Sequence, residues 1–149
     1  MRLVRVISDN FPHFQLLVGL DEAIFEPAWT LPQWRDEVAG SANRVYVAYA
    51  DDELRVPAGL LTWGAAGDTA DLKKIGVAAN FRGRGFGSFL LDAAIEGCIS
   101  EGFQNMMAEV AITNRAALSL YSHAGFHRIS RRKAYYGRSL DAWVLQKEL

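Results

Sequence analysis

The segment from Ile75 to Ser88, Ile-Gly-Val-Ala-Ala-Asn-Phe-Arg-Gly-Arg-Gly-Phe-Gly-Ser, constrains this chain more than any other. An apolar run, Ile75-Gly76-Val77, ends. Gly83, Gly85 and Gly87 then alternate with Arg84 and Phe86 directly after Arg82, and an apolar helical pattern begins. That order predicts a strand, a tight loop and a helix N-terminus. Orphan backbone N–H groups and the positive end of the helix dipole meet there, which suits a phosphate. Glycine lets the backbone approach phosphate oxygens with no side chain between them. Arg82 and Arg84 add charge-assisted hydrogen bonds. The plainer reading is a glycine-rich turn carrying two solvated arginines.

Two phosphate-binding patterns fit poorly. No Lys-Ser or Lys-Thr follows the loop, so the nucleoside-triphosphate pattern is missing. A dinucleotide fold gains support from Glu109, placed about where a ribose-binding acid belongs. Its third glycine, however, falls on Ser88 or Leu90, and too little chain follows Gly87 for the second half of a doubly wound domain.

Arg82-x-x-Gly85-x-Gly87 instead resembles the pyrophosphate loop of the GNAT-type N-acetyltransferases, where acetyl-coenzyme A binds. The resemblance continues through Ala108-Glu109-Val110-Ala111-Ile112-Thr113-Asn114 and through Leu118-Ser119-Leu120-Tyr121-Ser122-His123-Ala124-Gly125-Phe126. That is similar to the family's second signature: a strand, an Asn at the next helix, a late Tyr, then Gly-Phe. It covers roughly residues 45 to 149.

The coarse organisation is read from the residues alone. Leu3 to Ile7 reads as a strand. Asn10 to Phe25 sets Phe14, Leu17, Val18, Asp21 and Ile24 near one helical face, and Pro27 ends it. Thr30-Leu31-Pro32-Gln33 reads as an N-cap with a capping-box glutamine, opening a helix that Gly40 closes. Strands follow at Val45 to Ala50, Ala58 to Trp63 and Ala70 to Val77, then a helix from Gly85 to Ser100. Met106 to Val110 is the next strand and Asn114 to Ala124 the next helix; Phe126 to Arg132 and Ala142 to Gln146 are the last two strands. This predicts a mixed α/β fold with a largely antiparallel sheet of about seven strands and about four helices. The resemblance implies a central parallel pair, the fourth and fifth strands, that splays apart. Pantetheine would then pair with the backbone of Ile75, Gly76 and Val77, continuous with a diphosphate site at Arg82, Gly83, Arg84, Gly85, Phe86, Gly87 and Ser88.

Acetyl transfer from a thioester needs a neutral amine, proximity and a proton for the leaving thiolate. An α-amine with a pKa near 7.7–8.0 is neutral in roughly a tenth of molecules at pH 7, a lysine in only about one in 2,500. A modest base therefore serves an N-terminus. Glu109, a carboxylate in an apolar strand pointing opposite to Ala108 and Val110, is the candidate, since burial there suits it to accept a proton. Its plain alternative is a strand-end charge facing water. Tyr121 lies two helical turns after Asn114 and is the candidate acid; otherwise it is a core tyrosine. Asn114 most simply caps its helix, and the resemblance adds a hydrogen bond to coenzyme A. Asp71 is a second candidate base on the substrate side, or a solvated acid near a turn.

The stretch from Arg131 to Leu145 is similar to the Arg-x-x-Tyr-Tyr…Asp-Ala ending of protein N-terminal acetyltransferases, including the ribosomal-protein alanine type. Tyr135 and Tyr136 take by match the role of holding the substrate's N-terminal backbone. Ala111 stands where many bacterial members carry Arg. Arg128, Arg131, Arg132, Lys133 and Arg138 crowd this end, as a solvated face or as a docking face for an acidic partner or ribosomal RNA. The expected partner is thus a protein or peptide N-terminus, a ribosomal protein among them.

Composition bounds the rest. With 149 residues the chain is about one domain, expected as a single N-acetyltransferase domain over 1–149, a monomer or homodimer. A net charge of −1 gives no global pull toward DNA or anionic membrane. No apolar run reaches a membrane span, no signal peptide is seen, and the single cysteine, Cys98, fits a reducing cytoplasm. Cys98 reads as a packed thiol on a helix. His13, His123 and His127 have no partner at ligand spacing, so no metal is expected. Trp29 and Trp34 around the second helix read as packing residues or as a border of the acceptor cleft. Two alternatives stay open. An acetyltransferase for a small-molecule amine would make no use of Tyr135 and Tyr136 for peptide backbone. A non-catalytic acyl-coenzyme A module would be indifferent to Glu109 and Tyr121.

Overall fold

Local chemistry decides where the elements start. The computed structural model describes residues 1–134 and 140–149. Its strands are β1 (Arg2–Arg5), β2 (Asn43–Tyr49), β3 (Pro57–Ala66), β4 (Thr69–Val77), β5 (Asn105–Ala111), β6 (His127–Arg132) and β7 (Ala142–Glu148). The helices are α1 (His13–Ile24), α2 (Leu31–Ala39), α3 (Phe86–Ser100) and α4 (Arg115–His123). At α2 the expected capping box is complete: Gln33 N–H donates to Thr30 Oγ1 at 3.3 Å and Thr30 N–H to Gln33 Oε1 at 2.7 Å. Two orphan N–H groups are thereby satisfied. Asn114 caps α4 by accepting from Ala117 N–H at 3.1 Å. α1 has no side-chain cap and is held by its buried stripe, Phe14, Leu17, Leu20 and Asp21. Leu20 is buried as well, whereas Val18 and Ile24 of the expected face are half-buried.

The strand order is β1-β2-β3-β4-β5-β7-β6. All determined neighbour pairings are antiparallel except β4 with β5, the expected parallel pair. The chain divides into two compact units.

The first unit comprises residues 1–64 and 74–90. β2 pairs with β1 from Arg2↔Tyr49 to Arg5↔Tyr46, and with β3 from Asn43↔Gly64 to Tyr49↔Pro57. Its core joins Val6, Phe14, Leu17, Leu20, Trp34, Val45, Val47, Tyr49 and Leu60. The second comprises residues 65–73 and 91–149. Here β4 pairs with β5 from Thr69↔Asn105 to Leu72↔Ala108, and β7 lies between β5 and β6. Alternation sends Met106, Ala108 and Val110 of β5 into the core, with Tyr121, Phe126 and Leu145. Cys98 is buried in this core, as expected, and burial pushes its thiol up to about 12. That thiol is inert at neutral pH.

Candidate active site

The glycine loop is built in the first unit. Gly76 of β4 is buried, and a Cβ there would meet Phe25 Cε2 at 2.7 Å and Ile24 Cγ2 at 3.0 Å. A side chain there would have to push the Phe25 ring and Ile24 off the strand. Ala78 N–H donates to the Ala58 carbonyl at 2.8 Å, and a 3-10 turn over Ala79–Phe81 reverses the chain. Arg82 Nε donates to the Val77 carbonyl at 3.2 Å, bracing the turn. The Arg84 guanidinium lies 5.6 Å from the Phe81 ring centre, and Phe81 packs edge-on against buried Phe86.

Gly83 and Gly85 have φ of +75° and +85°. A side chain at Gly83 would meet nothing within 4 Å, so backbone conformation rather than space demands glycine there. The first helical bond of α3 runs from Phe89 N–H to the Gly85 carbonyl at 3.0 Å. The N–H groups of Phe86, Gly87 and Ser88 therefore precede the intrahelical ladder, at the positive end of a helix 15 residues long. This geometry receives an anion.

The expected catalytic pair lies in the second unit. Glu109 points away from the buried Ala108 and Val110, is 26% exposed, and has Oε2 buried. Sequence reasoning missed its partner. Glu109 is opposite Val144, and Arg132 is opposite Ala142. Positions 142 and 144 share a face of β7, so Glu109 and Arg132 flank β7 on one face, and Arg132 Nη1 donates to Glu109 Oε1 at 2.6 Å. Asp71, half-buried, is opposite Met107, on the same face as Glu109. Tyr121 on α4 is 4% exposed, with its ring edge-on to Phe126 at 5.2 Å. Asn114 uses its side-chain oxygen as the α4 cap.

The connection after β6 is tied at its neck. Asp141 accepts from Arg131 Nε at 2.6 Å and from Ala134 N–H at 2.9 Å, and its carbonyl accepts from Ile112 N–H at 3.1 Å. The Ala134 N–H first, then the Arg131 hydrogen bond, hold the Asp141 carboxyl below the usual carboxylate range. Arg128 and Arg131 lie on the Trp143 ring, 4.5 and 5.5 Å from its centre. The basic crowd expected as a solvated face is thus partly consumed by Glu109, Asp141 and Trp143. Tyr135 and Tyr136 lie outside the described residues, as does Arg138.

A second feature was only half legible. Asp21, fully buried, accepts from Trp29 N–H and Trp34 Nε1, both at 2.8 Å, and from Lys74 Nζ at 2.5 Å. The ammonium lies 4.5 Å from the Phe25 and Trp29 ring centres and 5.6 Å from that of Trp34. Burial holds the Lys74 amine below its ordinary value, against the pull of Asp21. An acid on the apolar stripe of α1 was a visible signal that a partner must exist; which lysine supplied it was not. His13 is taken by Tyr49, with Nδ1 2.6 Å from the phenol oxygen. Among the described residues no group of three His, Cys, Asp or Glu is arranged to hold a metal. No helix among them is long and apolar enough to cross a membrane.

Residues 9–126 match the model of the Acetyltransferase (GNAT) family. The chain is 36% identical over 66 residues to the N-alpha-acetyltransferase MAK3 of Arabidopsis thaliana, covering 44% of this chain and 35% of that protein. It is 36% identical over 69 residues to the ribosomal protein bS18-alanine N-acetyltransferase of Salmonella typhimurium, covering 46% and 47%. The chain thus spans half or less of the length of these curated relatives. Its fold is similar to that of the ribosomal-protein-S18-alanine N-acetyltransferase from Escherichia coli, with a TM-score of 0.85, 18% identity, and 99% and 92% of the two chains covered.

Proposed function

This chain belongs to the acetyltransferase (GNAT) family, and on that premise we propose that it moves an acetyl group from acetyl-coenzyme A to the N-terminal α-amine of a protein or peptide, including ribosomal proteins. One observation carries the reading: two glycines at positive φ deliver the chain into the N-terminus of α3, where three backbone N–H groups precede the helical ladder. The residues present fit a diphosphate, because a Cβ at Gly83 would meet nothing within 4 Å and both glycines hold a backbone conformation that side chains rarely adopt. Arg82, Gly83, Arg84, Gly85, Phe86, Gly87 and Ser88 would hold the phosphates, and Ile75, Gly76 and Val77 would carry the pantetheine arm, with Asn114 as a further contact.

Bound acetyl-coenzyme A supplies an acetyl group already activated as a thioester. Glu109 accepts the proton that the acceptor nitrogen loses as its new bond to carbon forms. Tyr121 donates its phenolic proton to the sulfur as the carbon–sulfur bond breaks. Exchange with solvent then returns both groups to their starting states. Asp71 lies on the Glu109 face of the sheet and serves the acceptor side, with Tyr135 and Tyr136 on the peptide backbone. Names of relatives that act on alanine or α-amino termini favour a peptide over a small amine.

The test is a library of short peptides with free α-amines, incubated with the protein and acetyl-coenzyme A and read by mass spectrometry. Acetyl is expected on the α-amine, with free lysine a poor acceptor. Modification only on lysine, only on a small amine, or on nothing overturns the reading.

A further inference from the structure

We infer that Arg132 is a positioning residue for Glu109, holding its carboxylate in the one orientation from which it accepts the amine proton. The inference rests on Glu109 as the base and gives a role to Arg132, the Arg of the Arg-x-x-Tyr-Tyr pattern, for which the resemblance supplies none.

The terminal torsion of a glutamate is broad, so a carboxylate on a strand exchanges its two oxygens readily unless one is held. Arg132 Nη1 reaches Oε1 at 2.6 Å, short for a charge-assisted bond, while Oε2 is buried. The two oxygens are therefore distinguished: Oε2 is turned into the protein, while Oε1 gives one lone pair to the guanidinium and keeps the other for the amine proton. Sheet register makes the reach possible. Arg132 is opposite Ala142, whose methyl lets the long side chain cross β7 toward Glu109 on the far side. A bulky residue at 142 would stand in that path.

Other charged groups share this face. β4 contributes Asp71, opposite Met107, and by alternation Lys73; β6 contributes His127, opposite Gln146. Arg131, next to Arg132, is held by Asp141 on the other face and does not compete for Glu109. Arg132 is 53% exposed, and an ion pair so open to water adds little to folding stability. The geometry acts on where the carboxylate points, and a misplaced base costs turnover rather than fold.

The test uses the full chain and the peptide it acetylates best. Arg132→Met is expected to lower kcat by on the order of 10–10²-fold, with the melting temperature and coenzyme A affinity of the wild type and a KM for peptide little changed. Arg132→Lys should restore part of the loss, because a lysine keeps the charge without the planar fork. In a Glu109→Gln background, Arg132→Met should change kcat by less than about twofold, since residues that act through one another are not additive. Wild-type kcat in Arg132→Met, or the same fold-loss with and without Glu109, overturns the inference alone. Full turnover in Glu109→Gln overturns the base assignment and this inference together.

Discussion

At the scale of single residues, conformation and charge give the sharpest expectations. Gly85 has φ of +85°, a region L side chains rarely adopt, and its backbone opens α3. Gly85→Val forces a branched side chain into that conformation and shifts the N–H groups that face the diphosphate. Coenzyme A affinity should fall at least about tenfold by calorimetry, equivalent to one lost hydrogen bond to a charged group. Unchanged affinity in a folded protein removes this loop from the coenzyme site. Glu109→Gln should lower turnover by roughly 10²–10⁴-fold, the range for lost general base catalysis, with coenzyme affinity intact. Tyr121→Phe should lower it less, because solvent also protonates a thiolate. Steady-state rates on one peptide measure both. If both variants keep wild-type turnover, Asp71 or water is the base.

At the scale of elements, two polar clusters tie segments that the hydrophobic pattern leaves loosely defined. Asp21 joins the end of α1, the connection carrying Trp29, α2 through Trp34, and β4 through Lys74. Removing one half of a buried pair leaves an uncompensated charge, so Lys74→Met should cost about 3–5 kcal/mol in denaturant unfolding. A loss near zero would mean that water already reaches Asp21. The neck between β6 and β7 behaves differently with pH. Asp141 is held below its ordinary value by Ala134 N–H and Arg131, so the folded state binds a proton less readily than the unfolded chain. Its contribution is full above the ordinary carboxylate value of about 3.9 and is lost as pH falls through the lowered folded value. An NMR titration of the Asp141 carboxyl carbon should show a midpoint below the ordinary value; a midpoint at or above it refutes the neck geometry.

At the scale of the whole molecule, both compact units are discontinuous in sequence. β4 and α3 each give residues to both units, so no single cut of the chain separates them. Strands and helices rarely melt halfway along, and a chain of this length is within the range of two-state domains. We therefore expect residues 1–149 to unfold as one domain, with a single calorimetric transition whose van't Hoff and calorimetric enthalpies agree. Two resolved transitions would divide the chain into separate domains.

The sequence by itself determined the elements whose causes are local. The capping box at Thr30 and Gln33, the Asn114 cap, the glycines before α3 and the alternation that turns Glu109 away from the core all depend on residues within a turn or two of one another. Such interactions are written in spacing, and each stands in the structure as read, with ends moved by a residue or two. Tertiary structure decided the pairings between distant residues. Arg132 meets Glu109 only because β7 enters the sheet between β5 and β6, and Lys74 meets Asp21 only because the α1–α2 connection lies on β4. Among several lysines and arginines of equal chemistry, sequence carries no mark of the one that will be near. Strand register and chain path choose it, because an ion pair needs contact within a few ångströms and those two fix the distance.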